Sequence, residues 1–293
     1  MTVSRPLILH FATGGFAHFL RLLENSVQWA SRWGFHVVVI SEPAKTLAFL
    51  SFHDLFAAIR PLPIIPLRDV PEELLVRPNG ANVTEYLDYW GGGPCVLRSG
   101  EAEEFPRSVT FMNRFAKRPQ LTIGDQKRFF PRTYHHLLPR LSLAQSIADP
   151  VNRAVAEFSG RGTVGVHFRN TDSPGNLEET LARLDRILIE SKASRVLWCS
   201  DDARSIEQAR AEFPHLEIVE GSAKPPIQQG AGSLHGGVED TNVEWMLSSA
   251  LVDIALLSRT EHFLPAPNSA WAQLVPYFRA HPEVRRSFFR LQE

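Results

Sequence analysis

Residues 163–173, TVGVHFRNTDS, carry the pattern on which the fold turns. The first half is a run of small and β-branched apolar residues, the composition of a strand buried on both faces of a parallel sheet. The run then turns polar and carries His167, Arg169 and Asp172. Side chains alternate along a strand, so Val164, Val166 and Phe168 share one face and Gly165, His167 and Arg169 the other. His167 and Arg169 thus point together near the strand's carboxyl end, with Asp172 within reach of a turn. A guanidinium presents a rigid fork of donors that fits a phosphate bidentately. An imidazole beside it can add a further bond, and the aspartate can orient the arginine or accept from a ligand hydroxyl. The alternative is a buried Arg–Asp pair that simply holds the loop, and the triplet alone does not choose between them.

The surroundings repeat a strand–helix alternation. On the amino side, VNRAVAEF (151–158) has a helical pattern and follows ADP (148–150). On the carboxyl side come a helix over 177–191 with Leu181, Leu184, Ile187 and Leu188 on its apolar face, a strand over 194–200, a helix over 202–213 and a strand over 216–221. A glycine-rich loop (230–237), a mostly apolar helix (242–260), a strand (262–266) and the opening of a further helix complete the series. Such alternation defines an α/β protein with mainly parallel sheets.

The amino-terminal region has its own βαβ pattern. LILHF (7–11) and GFHVVVIS (34–41) read as strands. Between them Phe16, Leu20, Leu23, Val27 and Ala30 recur at helical spacing. Gly14 and Gly15 sit at the first turn, where glycine lets backbone approach a ligand and the helix start offers free N–H groups to an anion; a plain tight turn is the other reading. The pair does not form G-x-G-x-x-G, so it is no dinucleotide fingerprint. Residues 61–135 are irregular, with a proline-rich stretch at 61–67, a WGGGP loop at 90–94 and a basic run at 113–132. That run reads first as a solvated face, and secondly as a patch for an acidic acceptor or a membrane surface. The irregular middle and the restart near residue 150 divide the chain into two α/β domains, 1–148 and 149–293, with a cleft between them. Ligands of such sheets sit at the carboxyl ends of the strands.

Composition narrows the class. The chain has 293 residues, 44% of them hydrophobic and 22% charged, with a net charge of −1. No global charge favours nucleic acid. No apolar run approaches the roughly 18 residues that span a bilayer. Cys95 and Cys199 are far apart in sequence and read as reduced thiols, which fits the cytoplasm.

Three further positions carry candidate chemistry. Asp201 and Asp202 end a strand, where one of them is expected to cap the following helix; a metal reading is weaker, since no third ligand lies nearby. Asp253 lies within the apolar helix, a costly place for a carboxylate without a partner. It can accept from a ring N–H and an amine, as at the edge of guanine, or pair with an arginine.

The ordered segments GVHFRNTD (165–172), WCSDDARSIEQARAEFP (198–214), GAGSLH (230–235) and LVDIALLSRTEHFLPAPNSAWAQL (251–274) resemble the fucosyltransferase superfamily. The likeness is greatest to the α-1,6-fucosyltransferases of nodulation and N-glycan core type, and more distant to the α-1,2- and protein O-fucosyltransferases. Residues 13–39 resemble the same enzymes' amino-terminal glycine turn, helix and strand. This resemblance implies a GT-B architecture of two Rossmann-like domains, the first on the acceptor side and the second on the donor side. It implies an inverting, metal-independent transfer from GDP-fucose to a glycan hydroxyl, with a glycan acceptor, no nucleic acid and at most peripheral membrane contact. His167 and Arg169 would hold the diphosphate, Asp253 guanine, and Ser269 the phosphate or nucleoside pocket. Gly14 and Gly15 would let the first domain approach the donor, which Asp202 and His235 would also contact; Asp172, Asp201 and Asp202 match acidic positions of the family whose roles the resemblance does not separate. The chemistry agrees, since a fixed arginine can stabilise the charge that builds on a departing diphosphate, and no D-x-D motif occurs.

The chain also departs from the pattern. Asn170 stands where the core-type enzymes have a second arginine, and Ser173 where they have a lysine. Glu178 lies one position out of register with their catalytic glutamate. An inverting transfer needs a base for the acceptor hydroxyl, and beside Arg169 the candidates are Asp172, Glu178 or an acid elsewhere in the chain. These departures keep open another nucleotide sugar, or a protein of the same fold that binds nucleotide or glycan without turnover.

Overall fold

The computed structural model describes residues 7–11, 16, 17, 19–21, 23, 24, 27, 36–40, 52–58, 64, 65, 94–97, 136–169, 175–222, 243–267 and 269–292. The chain separates into two compact units, Met1–Ser142 and Leu143–Glu293.

The first unit is built on a four-stranded sheet. Strands β1 (Leu7–Phe11), β2 (His36–Ile40), β4 (Ile64–Ile65) and β5 (Pro94–Leu97) lie in the order β4-β2-β1-β5. β1 runs parallel to β2 in the register Leu7↔His36 to Phe11↔Ile40, and β2 runs parallel to β4. β5 departs from the parallel expectation by lying antiparallel to β1. It is an edge strand that opens on Pro94, a place where the missing N–H breaks no ladder. Helix α1 includes the helical residues described between 16 and 27. Its Phe16, Leu20, Leu23 and Val27 are buried, as the spacing predicts. Phe16 stacks on Phe56, which lies in a short strand, β3 (Phe56–Ala58), entered from α2 (Phe52–Leu55). Glu24 is buried on α1, and its carboxylate accepts from the backbone N–H of His136 at 3.0 Å and of Leu137 at 2.7 Å. Two charge-assisted bonds offset the burial of that charge.

After a 3₁₀ turn (Leu138–Arg140) and β6 (Leu141–Leu143), the second unit begins with α3 (Gln145–Glu157). This helix starts six residues before the stretch expected to be helical and passes through Pro150. Ile147, Ala148, Val151 and Val155 form one buried face, and their packing carries the helix past the missing N–H. The expected division at 148/149 falls inside α3, whereas the compact units meet at Ser142 and Leu143.

Strands β7 (Thr163–Phe168), β8 (Arg195–Ser200), β9 (Glu217–Glu220) and β10 (His262–Leu264) form a fully parallel sheet in the order β10-β7-β8-β9. Helices α4 (Leu177–Ser191) and α5 (Ala203–Glu212) cover one face. There Val164, Val166, Phe168, Val196, Trp198 and Leu264 pack with Leu184, Leu188, Ile206 and Phe213. Trp198 is fully buried, and its indole N–H donates to Ser205 Oγ at 2.9 Å. The other face meets α6 (Val243–Leu257). Its residues from Leu251 to Leu257 are buried all round, as for a helix inside a core. Gly165 permits this contact, since a Cβ there would lie 2.7 Å from Thr260 Oγ1 and 2.8 Å from Leu257 Cδ2. Helices α7 (Ala270–Ala280) and α8 (Pro282–Phe289) pack on the same side. Phe278, Phe288 and Phe289 form an aromatic knot there, with ring centroids 5.0–5.2 Å apart.

Candidate functional site

The strand order fixes where the second unit has room for a ligand. The chain lays β7, β8 and β9 outward in one direction. It then crosses back through α6 and adds β10 on the far side of β7. The helix after β7 covers one face, while the helix after β10 packs with α6 on the other. The loops leaving β7 and β10 therefore part to opposite sides. The crevice between them, at the carboxyl ends of the strands, is the topological switch point where open α/β sheets bind ligands.

Residues at this edge include most of the described candidates. His167 is half-buried near the end of β7 and shares its face with its register neighbour, Cys199. This is the α6 face, the one to which Gly165 also belongs. Arg169 is the first residue past β7 and is half-buried. Its carbonyl accepts from Gly175 N–H at 2.9 Å, which closes the loop between them. Gly175 allows this closure, because a Cβ there would lie 2.7 Å from Arg169 O and 2.8 Å from Phe168 Cε2. The chain then enters α4 directly. Asn176 caps it by accepting from Glu179 N–H at 3.1 Å, and Glu178 is exposed in its first turn.

Past β8, Asp201 is half-buried and Asp202 caps α5. Asp202 Oδ1 accepts from Arg204 N–H at 3.1 Å and from Arg204 Nε at 3.2 Å. The capping part expected of this pair falls to Asp202. Past β9, Ser222 N–H donates to Asp253 Oδ1 at 2.7 Å. The Ser222 hydroxyl lies 2.8 Å from both Asp253 Oδ1 and Ser249 O, and its one proton serves one of them at a time. Asp253 is only 6% exposed, so these bonds help to solvate a carboxylate inside an apolar helix. The same carboxylate oxygen and Cys199 Sγ hem in Gly221, where a Cβ would lie 2.5 Å and 2.6 Å from them. Cys199 is buried. Past β10, Ser269 is 2% exposed and caps α7, its Oγ accepting from Ala272 N–H at 3.4 Å.

The sheet thus brings His167, Arg169, Glu178, Asp201, Asp202, Asp253 and Ser269 to one edge. Gly14, Gly15, Asn170, Asp172, Ser173 and His235 lie outside the described residues, as does the basic run at 113–132. Gly175, Gly221 and Ser222 were not singled out from the sequence. Their signal is local, a glycine beside a polar residue directly after a β-branched strand or just before a helix. Among the described residues, no group of three His, Cys, Asp or Glu side chains is arranged to hold a metal ion.

No family model matches the chain. Over 116 residues it is 28% identical to an α-(1,6)-fucosyltransferase of Drosophila melanogaster, a stretch that is 36% of this chain. The chain spans 17% of that relative's length. Among solved structures, the fucosyltransferase NodZ from Bradyrhizobium superposes with a TM-score of 0.58 at 17% identity, over 93% of this chain and 92% of its own. NodZ α-1,6-fucosyltransferase co-crystallised with GDP gives 0.58 at 18% identity, over 94% and 92%. POFUT1 in complex with GDP gives 0.51 at 11% identity, over 94% and 95%. At these identities the structural likeness is one of fold. The chain resembles the fucosyltransferase superfamily in sequence and has its GT-B, α/β fold.

Proposed function

We propose that this protein is a glycosyltransferase that moves fucose from GDP-fucose to a glycan hydroxyl, with inversion and without a metal ion. The observation that carries this reading is Arg169, the first residue beyond the central strand β7, beside the switch-point crevice and with its carbonyl tied to Gly175. The similarity to an α-(1,6)-fucosyltransferase and the fold of NodZ, solved with GDP, support the donor.

In this mechanism the residues past β7 serve the leaving group. Fucosyl transfer develops positive charge on the sugar and negative charge on the diphosphate. Arg169 and His167 hold that diphosphate, and a guanidinium fixed before the reaction stabilises the charge without reorganising during it. Asp253 reads guanine, Ser269 lines the phosphate or nucleoside pocket, and His235 joins the donor contacts. Asp172 or Glu178 takes the proton of the acceptor hydroxyl, which attacks the sugar from the face opposite the diphosphate. The carboxyl-terminal domain binds the donor and the amino-terminal domain the acceptor. Among the described residues no helix is long and apolar enough to cross a membrane. A cytoplasmic site of action, on a nucleotide sugar and a glycan, completes the proposal.

Transfer of labelled fucose from GDP-fucose to a panel of glycans, in EDTA, tests it. The proposal expects EDTA-resistant turnover that falls about 10²–10³-fold in Arg169→Ala. Turnover with another nucleotide sugar in place of GDP-fucose, or turnover abolished by EDTA, would overturn the corresponding part.

A further inference from the structure

One serine serves the carboxylate of Asp253 twice. Ser222, just past β9, donates its main-chain N–H to Asp253 Oδ1 at 2.7 Å, and its hydroxyl lies 2.8 Å from the same oxygen. That hydroxyl is also 2.8 Å from Ser249 O, one turn before Asp253 on α6. Both of its acceptors therefore belong to the helix turn that carries the carboxylate. Gly221 lets the chain come in close on this side, where a Cβ would lie 2.5 Å from Asp253 Oδ1 and 2.6 Å from Cys199 Sγ. Ser222 is half-buried, and Asp253 is buried.

A carboxylate turns easily about its last bond, because torsions of that kind are broad and two-fold. The main-chain N–H alone leaves it able to pivot about one contact. The hydroxyl adds a second donor to the same oxygen, and its own place is fixed by Ser249 O on the same helix turn. With Oδ1 held in this way, the direction of the other oxygen is set as well. Recognition by a buried acceptor depends on such fixing. A site built to accept from a ligand N–H rejects a ligand that lacks it, since the acceptor is then left unpaired. A site keeps that discrimination only while its groups stay within about 0.5 Å of the productive geometry.

We infer that Ser222 is a positioning residue for base recognition. It holds the Asp253 carboxylate so that the ring N–H and the amine of a guanine edge are accepted together, and it thereby sets a preference for a purine that carries the amine. The inference rests on the proposed reading of Asp253 as the guanine contact. Ser222 acts through Asp253 and needs no contact with the ligand itself.

Calorimetric titration of the full chain with GDP and with inosine diphosphate tests it, alongside thermal unfolding of each protein. Inosine diphosphate keeps the ring N–H and lacks the amine. The variants are Ser222→Ala, which retains the main-chain bond to Asp253, and Ser222→Thr, which retains the hydroxyl as well. The wild type should prefer GDP to inosine diphosphate. Ser222→Ala should weaken GDP binding about ten-fold, the scale of one bond to a charged group, and inosine diphosphate binding less, so that the preference shrinks. Ser222→Thr should keep the preference. A lower Tm in Ser222→Ala with the preference unchanged would overturn the inference and leave the guanine reading standing. A wild type that binds the two nucleotides equally, or binds neither, would overturn that reading and the inference with it.

Discussion

Asp253 Oδ1 accepts the backbone N–H of Ser222 at 2.7 Å, joining the middle of the apolar helix α6 to the residue just past β9. The bond makes a buried carboxylate part of the fold and presents it near the carboxyl edge of the sheet. Asp253→Ala removes the acceptor of that N–H, and leaving such a group unpaired costs about 1–3 kcal/mol. Denaturant unfolding should show that loss. Titration with GDP should show weaker binding as well, because the proposed base contact disappears. A loss of stability with GDP affinity unchanged would confine Asp253 to a structural part.

Gly221, the first residue past β9, lies against this carboxylate. The methyl of Gly221→Ala would fall 2.5 Å from Asp253 Oδ1 and 2.6 Å from Cys199 Sγ. Overpacking of this kind costs about 1–3 kcal/mol. The expected outcome is a lower Tm together with weaker GDP binding, since Asp253 must shift. Wild-type behaviour in both would contradict the packing described.

Asp202 separates capping from ligand contact. Its carboxylate already accepts from the first turn of α5 and from the Arg204 side chain. Asp202→Ala should lower stability by about 1 kcal/mol, as loss of a helix cap does. GDP affinity should stay within about two-fold of wild type if the carboxylate serves the cap alone. A ten-fold loss of GDP affinity would instead support the donor contact that the resemblance implies.

Much of this architecture is legible in the sequence because its signals are local. TVGVHF, SRVLWCS and LEIVEG are β-branched or apolar runs, and each forms a strand of the parallel sheet. The helical spacing of Leu184 and Leu188 marks the buried face of α4. The start of α3 was hidden, because Pro150 reads as a stop while four buried apolar residues carry the helix through it. β5 was hidden because Pro94 and the preceding glycines mark a loop, yet an edge position tolerates proline. α8 follows His281–Pro282, with proline in its first turn, a start signal the sequence reading did not use. At the candidate site, the periodicity of one strand places His167 and Arg169. The partner of Asp253 could not be read the same way, because Ser222 lies 31 residues away and meets it only through the crossover from β9 to β10. The closure of the 169–175 loop likewise depends on Gly175, whose role appears only when a side chain is tried in its place.

The central claim is that Arg169 holds a guanosine diphosphate at the switch point of the second sheet. Calorimetric titration of the wild type and of Arg169→Ala with GDP, UDP and ADP, all in EDTA, tests it most directly. The account predicts that the wild type binds GDP in preference to UDP and ADP. Loss of a charged hydrogen-bond donor, at about 1.5–3 kcal/mol, should weaken GDP binding by roughly ten- to 150-fold in the variant without unfolding it. Equal GDP affinity in the two proteins, or binding of no nucleotide by the wild type, would contradict it.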